Sequence, residues 1–577
     1  MFDIRKNIFK AGIYASFIFL IVNLFCFQVI RHPFYKQRSM ENRIRIIPLE
    51  APRGMIFDSK GNALVENRLS FNLAVIPQEV KGIDQTLSRL SQLSGIPKNV
   101  LYANYKKNFI ALFLPVAVAQ DIDKYQAFSI EERIGSIPGA ILWTNPLRSY
   151  KYPNAISHVV GYIGKMDEQE YGALKDYGYK MREYVGKAGI EKYYNSYLRG
   201  ENGGIQVEVN ATSRQTRQLG CKQPKKGKDI HLTIDTDLQN LASALLKDET
   251  GAFIVMEAKS GKILALASSP DFDPNIFVEP TRQKERIALL KEPAHPIHNR
   301  AISAVYPPGS VFKVAVSDAA LSSNKISKYT TFNCGGTYKL GRTRFHCWKK
   351  DGHGSMDITH ALINSCNIFF YNTGRIIGPE IISQYAAKFK LGQLTGVDLP
   401  SEAKGVVPSP LWKRLNERDA WYAGDTLNFA IGQGFLLVTP IQILRMISFI
   451  ANKGFAPTPY LVEKIEDVDL QHKISDNKAS SEEKARYEII HNALFGVVNE
   501  PNGTGQRAKV EGLAVCAKTG TAQSAGHESH AWFAGYLPEK EPKISFVIFI
   551  EHGGSGGQKP AELARILCKY LNENGYL

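Results

Sequence analysis

At 577 residues the chain exceeds one ordinary domain, and 44% hydrophobic with 22% charged residues excludes a disordered or fibrous protein. A formal charge of +16 fits either a solvated basic surface or an anionic partner: membrane lipid, nucleic acid or an acidic wall polymer. No nucleic-acid motif, internal repeat or low-complexity tract is present, and basic residues are dispersed apart from residues 222–228.

Residues 11–30 are largely apolar, interrupted by Asn23 and Gln28, and long enough to cross a hydrocarbon core of ~30 Å as a helix. No small-x-small cleavage site follows, so a retained anchor is expected, with residues 1–10 as a short cytoplasmic tail; a buried core helix is the other reading. Arg5, Lys6 and Lys10 precede the run, and Arg31, Lys36, Arg38, Arg43 and Arg45 follow it, so flanking charge does not set the orientation.

Residues 31–225 alternate short β-like and helical runs and carry no catalytic cluster. Residues 71–76 predict a strand, 84–93 an amphipathic helix, and Asp58-Ser-Lys-Gly61 a turn. The Lys/Pro/Gly stretch 222–228 reads as a linker into a second domain, 226–577. There residues 229–234 predict a strand, and 235–246 a helix with Asp235 as N-cap. Residues 252–256 and 262–267 predict paired strands around Lys259-Ser-Gly261, 544–551 a strand and 560–570 a helix. Strands at both ends with helices between predict one sheet whose termini meet, packed against helices.

Three strings in this second domain carry chemistry: Ser310-Val-Phe-Lys313, Ser365-Cys366-Asn367 and Lys518-Thr519-Gly520-Thr521. Tyr306-Pro-Pro-Gly309 ends any preceding helix, so a new one is expected to start near Ser310 and place Lys313 one turn away. A helix N-terminus favours developing negative charge. A lysine is a poor base at neutral pH unless burial or a second cation, here Lys518, lowers its pKa. Ser-x-x-Lys alone is unspecific; it recurs at Ser322/Lys325, Ser401/Lys404, Ser475/Lys478 and Ser481/Lys484. Ser-x-Asn recurs at Ser70/Asn72 and Ser322/Asn324, whereas Lys-Thr-Gly-Thr occurs once. On a strand, alternation puts Lys518 and Gly520 on one face, with Gly520 leaving room for a substrate backbone. The three strings in this order define acyl-serine chemistry of the penicillin-recognising kind.

The chain resembles the class B penicillin-binding proteins, most closely those of elongation in bacteria with an outer membrane. The resemblance covers essentially the whole chain. It includes Pro52-Arg-Gly-Met-Ile-Phe-Asp58, His158-Val-Val-Gly-Tyr-Ile-Gly164, Gly186-Lys-Ala-Gly-Ile-Glu191, Trp348-Lys-Lys-Asp-Gly-His-Gly354, Gly424-Asp-Thr-Leu, Ile431-Gly-Gln-Gly434 and Ser529-His-Ala-Trp532. It implies an α+β (or α/β) transpeptidase fold: a central antiparallel-type sheet with helices on both sides, preceded by a membrane helix and an elongated α+β pedestal. Its pedestal motifs are expected to be strand ends and turns.

The implied activity is a D,D-transpeptidase crosslinking peptidoglycan stem pentapeptides during elongation and shape maintenance, with D,D-carboxypeptidase chemistry at the side and β-lactams as inhibitors. Ser310 would be the nucleophile, Lys313 its base, Ser365 the proton relay and Asn367 a hydrogen-bonding partner of the substrate amide. Lys518, Thr519 and Thr521 would hold the substrate carboxylate beside Gly520, and the amides of Ser310 and Thr521 would form the oxyanion hole. The catalytic domain would lie in the periplasm, held by one span in the inner membrane. The pedestal and span would contact a RodA-type SEDS glycosyltransferase and other elongation proteins. A division-type enzyme, and a β-lactam sensor or scaffold with weak catalysis, are the alternatives.

Of the seven cysteines, Cys26 falls in the apolar run, Cys221, Cys516 and Cys568 are scattered, and Cys334, Cys347 and Cys366 bracket His353. By spacing alone they could bind metal, or Cys334 and Cys347 could form a disulfide. Elongation-type relatives can carry zinc on Asp, Asp, His and Cys; the resemblance aligns these with Cys334, Cys347, His353 and Cys366. A Cys₃His set implies a closed, structural zinc site. Cys516 reads as packing.

Overall fold

The computed structural model describes residues 2–112, 114–181, 183–210, 215–472 and 479–577, so the Ser475/Lys478 pair lies outside the described residues. The chain forms two compact units that interleave in sequence: residues 1–52, 68–147 and 200–227, and residues 53–67, 148–199 and 228–577.

In the first unit, helix Phe2–Phe25 continues through a π-helical turn, Cys26–Ile30. Its span Ile4–Ile30 is long and apolar enough to cross a membrane, and its apolar stretch is not buried in the chain. The helix starts at Phe2, so the residues expected as a separate tail are its first turns. Ile44–Leu49, Gly203–Val209 and Gln215–Lys222 form a three-stranded antiparallel sheet. The predicted helix appears as Ile83–Ser94, closed by Gly95 in the left-handed region at φ 68°. It packs with Lys98–Asn108 and Lys124–Ile134 around Leu73, Leu87, Leu101, Val118 and Ile130. The predicted strand 71–76 ends a longer one, Ala63–Val75, stopped where Pro77 removes a donor. The expected linker is not free: Lys225 and Glu201 exchange two backbone hydrogen bonds of 2.9 Å.

The second unit recruits early residues because they pair locally with late ones. Ile56–Phe57 runs parallel to Ile230–Leu232, and Asp58 accepts from the Thr236 hydroxyl at 2.6 Å. The Pro52–Asp58 and Gly186–Glu191 motifs meet in a buried ionic cluster. Glu191, fully buried, pairs with Arg53 and Arg148 at 2.6 Å each, and Arg148 also donates to the Gly54 carbonyl at 2.7 Å. Both guanidinium groups hold the Glu191 carboxyl low against burial, which pushes it up. The glycines in these motifs permit close packing: a Cβ on Gly161 would fall 1.9 Å from the Ala188 carbonyl oxygen. These motifs are therefore architectural but only in part the expected strand ends and turns, since residues 158–160 end helix Pro153–Val160 and residues 189–191 open helix Gly189–Tyr193; their ionic core was not suggested by the sequence.

The central sheet has five strands: β1 (Gly251–Glu257), β2 (Ile263–Ser269), β3 (Cys516–Ser524), β4 (His527–Leu537) and β5 (Ile544–Ile550). Their order is β2-β1-β5-β4-β3, all antiparallel, so strands from both ends of the domain meet at its centre as predicted. β1 and β5 are almost wholly buried because helices cover both faces. Phe253, Val255, Phe546 and Ile548 join one core with helices α1 (Thr236–Leu245) and α5 (Lys559–Glu573). The opposite face packs α4 (Pro440–Ala451). Asp235 caps α1, accepting from the amides of Asp237 and Leu238 at 3.0 and 3.3 Å. β3 is an edge strand, so one side of its backbone pairs with none of the described strands.

Candidate active site

Ser310 lies in a 3-10 turn, Gly309–Phe312, that leads into α2 (Lys313–Ser322). The predicted helix start is thus a tighter turn, fixed by Gly309 at φ 54°. Three glycines bring this turn against its surroundings. A Cβ on Gly309 would lie 2.5 Å from the Thr521 carbonyl oxygen, one on Gly432 2.1 Å from the Gly309 carbonyl oxygen, and one on Gly520 2.7 Å from Val311 Cγ2. The Gly309 amide donates to the Gly432 carbonyl at 2.9 Å, and Trp532 Nε1 donates to the Pro307 carbonyl at 3.1 Å. Gly520 therefore makes room for the nucleophile turn itself, not for a substrate backbone as the sequence suggested. Gly520→Ala is expected to lower both the melting temperature and β-lactam acylation, since overpacking costs about 1–3 kcal/mol; a variant that melts and acylates like the wild type would contradict this packing role.

Lys313 is completely buried. Its Nζ donates to the Ser365 carbonyl at 2.8 Å and to Asn367 Oδ1 at 2.7 Å and lies 3.3 Å from Ser365 Oγ, which brings the first two strings together. Burial lowers its pKa to about 8, against an opposing pull from Cys366 and Cys347. Lys518 is also completely buried, and burial followed by the charge of Lys313 puts its pKa well below the usual value. Burial is thus the main influence on both amines, and they also repel each other.

Ser365 is nearly buried and sits in the left-handed region at φ 51°, a strained conformation for a serine. It is held between helix Ile358–Ile363 and α3 (Asn367–Ile377): its amide donates to Leu362 at 3.2 Å, and that of Cys366 to Ala361 at 2.9 Å. Asn367 Nδ2 donates to the His346 carbonyl at 3.2 Å.

On β3 only Thr521 of the third string is exposed. Lys518 Nζ donates to the Thr519 carbonyl at 3.2 Å, and Thr519 Oγ1 lies 2.8 Å from Thr504 Oγ1. Thr519 is buried and its hydroxyl pairs with Thr504, so Thr521 is the more open of the two threonines to a carboxylate.

Thr504 is a residue that sequence reasoning missed. Its hydroxyl also reaches the Ile363 carbonyl at 3.5 Å, bracing the segment before Ser365 against β3. The Gly553-Gly-Ser-Gly-Gly557 loop was missed too; a Cβ on Gly556 would fall 2.5 Å from the Gly520 carbonyl oxygen. Its glycine density was the only signal in the sequence. Thr504→Val is expected to slow β-lactam acylation roughly fivefold, the equivalent of about 1 kcal/mol, with Thr504→Ser restoring it. Equal rates in all three proteins would remove the brace from the site.

Cys334, Cys347, His353 and Cys366 offer ligand atoms that all lie within 4.8 Å of one another. Cys334 Sγ and Cys347 Sγ each lie 3.5 Å from His353 Nδ1, and all the cysteines are free thiols. The edge of a tetrahedron with bonds of about 2.3 Å to sulfur and 2.0 Å to nitrogen is also about 3.5 Å, so the donor set fits zinc in spacing and chemistry. Cys366 donates to Cys347, which lowers the pKa of the Cys347 thiol and pushes that of Cys366 up. Burial lowers the pKa of His353, favouring the neutral imidazole a metal needs. Cys516 lies apart, fully buried on β3 with its thiol pushed up by burial, as packing requires.

The penicillin binding protein transpeptidase domain family matches residues 251–569, and the penicillin-binding protein dimerisation domain family matches residues 48–232. The chain belongs to the class B penicillin-binding proteins of the elongation type. It is 32% identical to the peptidoglycan D,D-transpeptidase MrdA of Escherichia coli K12, over 93% of this chain and 89% of that protein. Among solved structures it resembles the Helicobacter pylori penicillin-binding protein PBP2 in its complex with MreC, with a TM-score of 0.83 and 31% identity over 92% of this chain and all of that one. A structure described as the coordination of polymerization and crosslinking by a peptidoglycan synthase complex matches with a TM-score of 0.75 and 29% identity, over 99% of both chains.

Proposed function

We propose that this chain is a peptidoglycan D,D-transpeptidase of cell elongation that works through an acyl-serine and is inhibited by β-lactams. The observation that carries the reading is a fully buried amine, Lys313, converging on Ser365 and Asn367 one helical turn from Ser310 and beside an open-edged strand.

A neutral lysine amine has two donors and one lone pair. The Ser365 carbonyl and Asn367 Oδ1 take the two donors, which leaves the lone pair for the Ser310 hydroxyl proton. As Lys313 takes that proton, Ser310 Oγ bonds to the carbonyl carbon of the penultimate D-alanine. The carbonyl electrons return and the bond to the terminal D-alanine breaks, with the Lys313 proton passing through Ser365 Oγ to the departing amine. An amine from a neighbouring stem then attacks the ester, loses its proton by the reverse route, and releases Ser310 with a new crosslink. Water in place of that amine gives the carboxypeptidase side reaction.

The amides of Ser310 and Thr521 face the developing oxyanion in this reading, each donor contributing a few kcal/mol. The Thr521 hydroxyl is the exposed contact for the substrate carboxylate. Lys518, with its lowered pKa, acts from beneath, drawing a proton when the carboxylate arrives. The substrate backbone extends the sheet at the free edge of β3.

We assign Cys334, Cys347, His353 and Cys366 as the ligands of a structural zinc ion. Bound there, the ion would hold Cys366, and with it Ser365 and Asn367, to residues 334–353. The helix Ile4–Ile30 serves as a single inner-membrane anchor with the catalytic domain in the periplasm, because the substrate lies outside the cytoplasm. The dimerisation-domain residues 48–232 and the anchor contact a SEDS glycosyltransferase and other elongation proteins, a reading supported by the likeness to PBP2 in complex with MreC and to the peptidoglycan synthase complex.

Membranes labelled with a fluorescent penicillin, with and without Ser310→Ala, test the reading. Labelling is expected to vanish in the variant, and D-alanine release by the wild type to match crosslinks formed. Labelling without any D-alanine release would instead define a sensor or scaffold.

A further inference from the structure

Thr337–Leu340 and Thr343–His346 form an antiparallel hairpin closed by Gly341, at φ 58°, and Arg342. Its inner face packs on Tyr371 of α3, with ring centroids of Tyr338 and Phe345 at 5.9 and 5.7 Å. Its root is tied to the candidate site. The His346 carbonyl accepts from Asn367 Nδ2 at 3.2 Å and from the Tyr371 hydroxyl at 3.4 Å, and Trp348 Nε1 donates to the Asn364 carbonyl at 3.0 Å.

The outer side of this hairpin and the turn after it are strongly basic. Lys339, Arg342, Arg344, Lys349 and Lys350 are all exposed, and residues 337–350 include no acidic residue. None of the five forms an ion pair with a described residue. Lys339 lies directly opposite Arg344 across the two strands. Like charges facing each other across an antiparallel pair destabilise it. A local arrangement that opposes folding without internal compensation marks a functional surface. The basic residues looked dispersed in the sequence because apolar and glycine positions separate them; the hairpin brings them together.

We propose that this hairpin docks the carboxylates of the stem peptides on a peptidoglycan strand lying across the active site. The proposal rests on the transpeptidase reading and adds to it where the polymer is held. Two arginine forks suit carboxylates, and the link of His346 to Asn367 puts the basic surface beside the residues that meet a stem peptide. The outer face carries Thr337, Lys339, Arg344 and His346, with no apolar side chain of the kind that inserts into lipid.

The test uses the full chain in detergent, soluble uncrosslinked peptidoglycan strands, the same strands stripped of their stems, and phosphatidylglycerol–phosphatidylcholine vesicles. The double variant Arg342→Glu/Arg344→Glu is expected to bind intact strands at least tenfold more weakly than the wild type at low salt. The difference should disappear at about 1 M salt, where the screening length falls to ~3 Å. Stripped strands should bind both proteins equally weakly. Penicillin, which lacks the polymer, should acylate both at the same rate.

Equal binding of intact strands by the two proteins overturns the proposal, and so does a loss confined to the vesicles. If charge reversal also slows acylation, Arg342→Gln/Arg344→Gln is judged by the same criteria. Failure of the wild type to acylate at Ser310 would refute the transpeptidase reading, whereas unchanged strand binding with normal acylation refutes only the docking surface.

Discussion

Replacing Lys313 with methionine is expected to slow β-lactam acylation of Ser310 by roughly 10²–10⁴-fold, the usual contribution of a positioned general base. Methionine keeps an unbranched apolar stem in a completely buried position, so the fold should survive and the loss be chemical. The same residue predicts a pH profile. The neutral amine is the active form, and its pKa is lowered to about 8 by burial. Acylation by the wild type should therefore rise as pH increases toward 8 and level off above it. Below that value each pH unit removes about tenfold of the neutral amine and of the rate. Stopped-flow acylation with a chromogenic cephalosporin between pH 6 and 9 measures this. A profile flat across that range would mean that Lys313 is not the base, and a methionine variant that keeps the slope would mean that another group titrates.

Loss of the proposed zinc ion is the second large expected effect. A closed zinc site is folding free energy, because the unfolded chain has no equivalent set of ligands. In a domain of this size each kcal/mol moves the melting temperature by roughly 2–4 °C, so losing a contribution of several kcal/mol lowers it by about 10 °C. Cys334→Ser is expected to copurify without zinc, melt earlier and acylate more slowly. The slower chemistry follows from the position of Cys366 between Ser365 and Asn367, both of which bond Lys313. Metal content by mass spectrometry, thermal melts and thiol titration together check this. A wild-type protein that holds no zinc and titrates two thiols short, with Cys334 bonded to Cys347, would replace the metal with a disulfide.

The chemistry was legible because its residues form short strings in fixed order, and the sheet because its central strands are largely apolar runs such as residues 544–550. What escaped the sequence depends on approach in space. Gly520 looks like a gap left for a substrate until Val311 and Pro308 are found against it. Thr504 is one threonine among many until its hydroxyl meets Thr519 and Ile363. The domain boundary drawn near residue 225 followed composition, which cannot register that Ile56 and Phe57 pair with Ile230 and His231. Lys518 suggested a cation lowering its neighbour, but depth of burial, which no local pattern encodes, is the larger influence on both amines.

The three glycines that seat the nucleophile turn also narrow how such an enzyme can evolve away from an antibiotic. Gly309 and Gly432 sit at positive φ, and at both, as at Gly520, even a methyl group would collide with backbone or with a packed side chain. Point mutation at these three positions therefore reshapes the floor beneath Ser310 only at a cost to stability and acylation. Heritable resistance is left to the rim: exposed Thr521 and the hairpin beside Asn367, where a side chain can obstruct a drug while the floor stays intact.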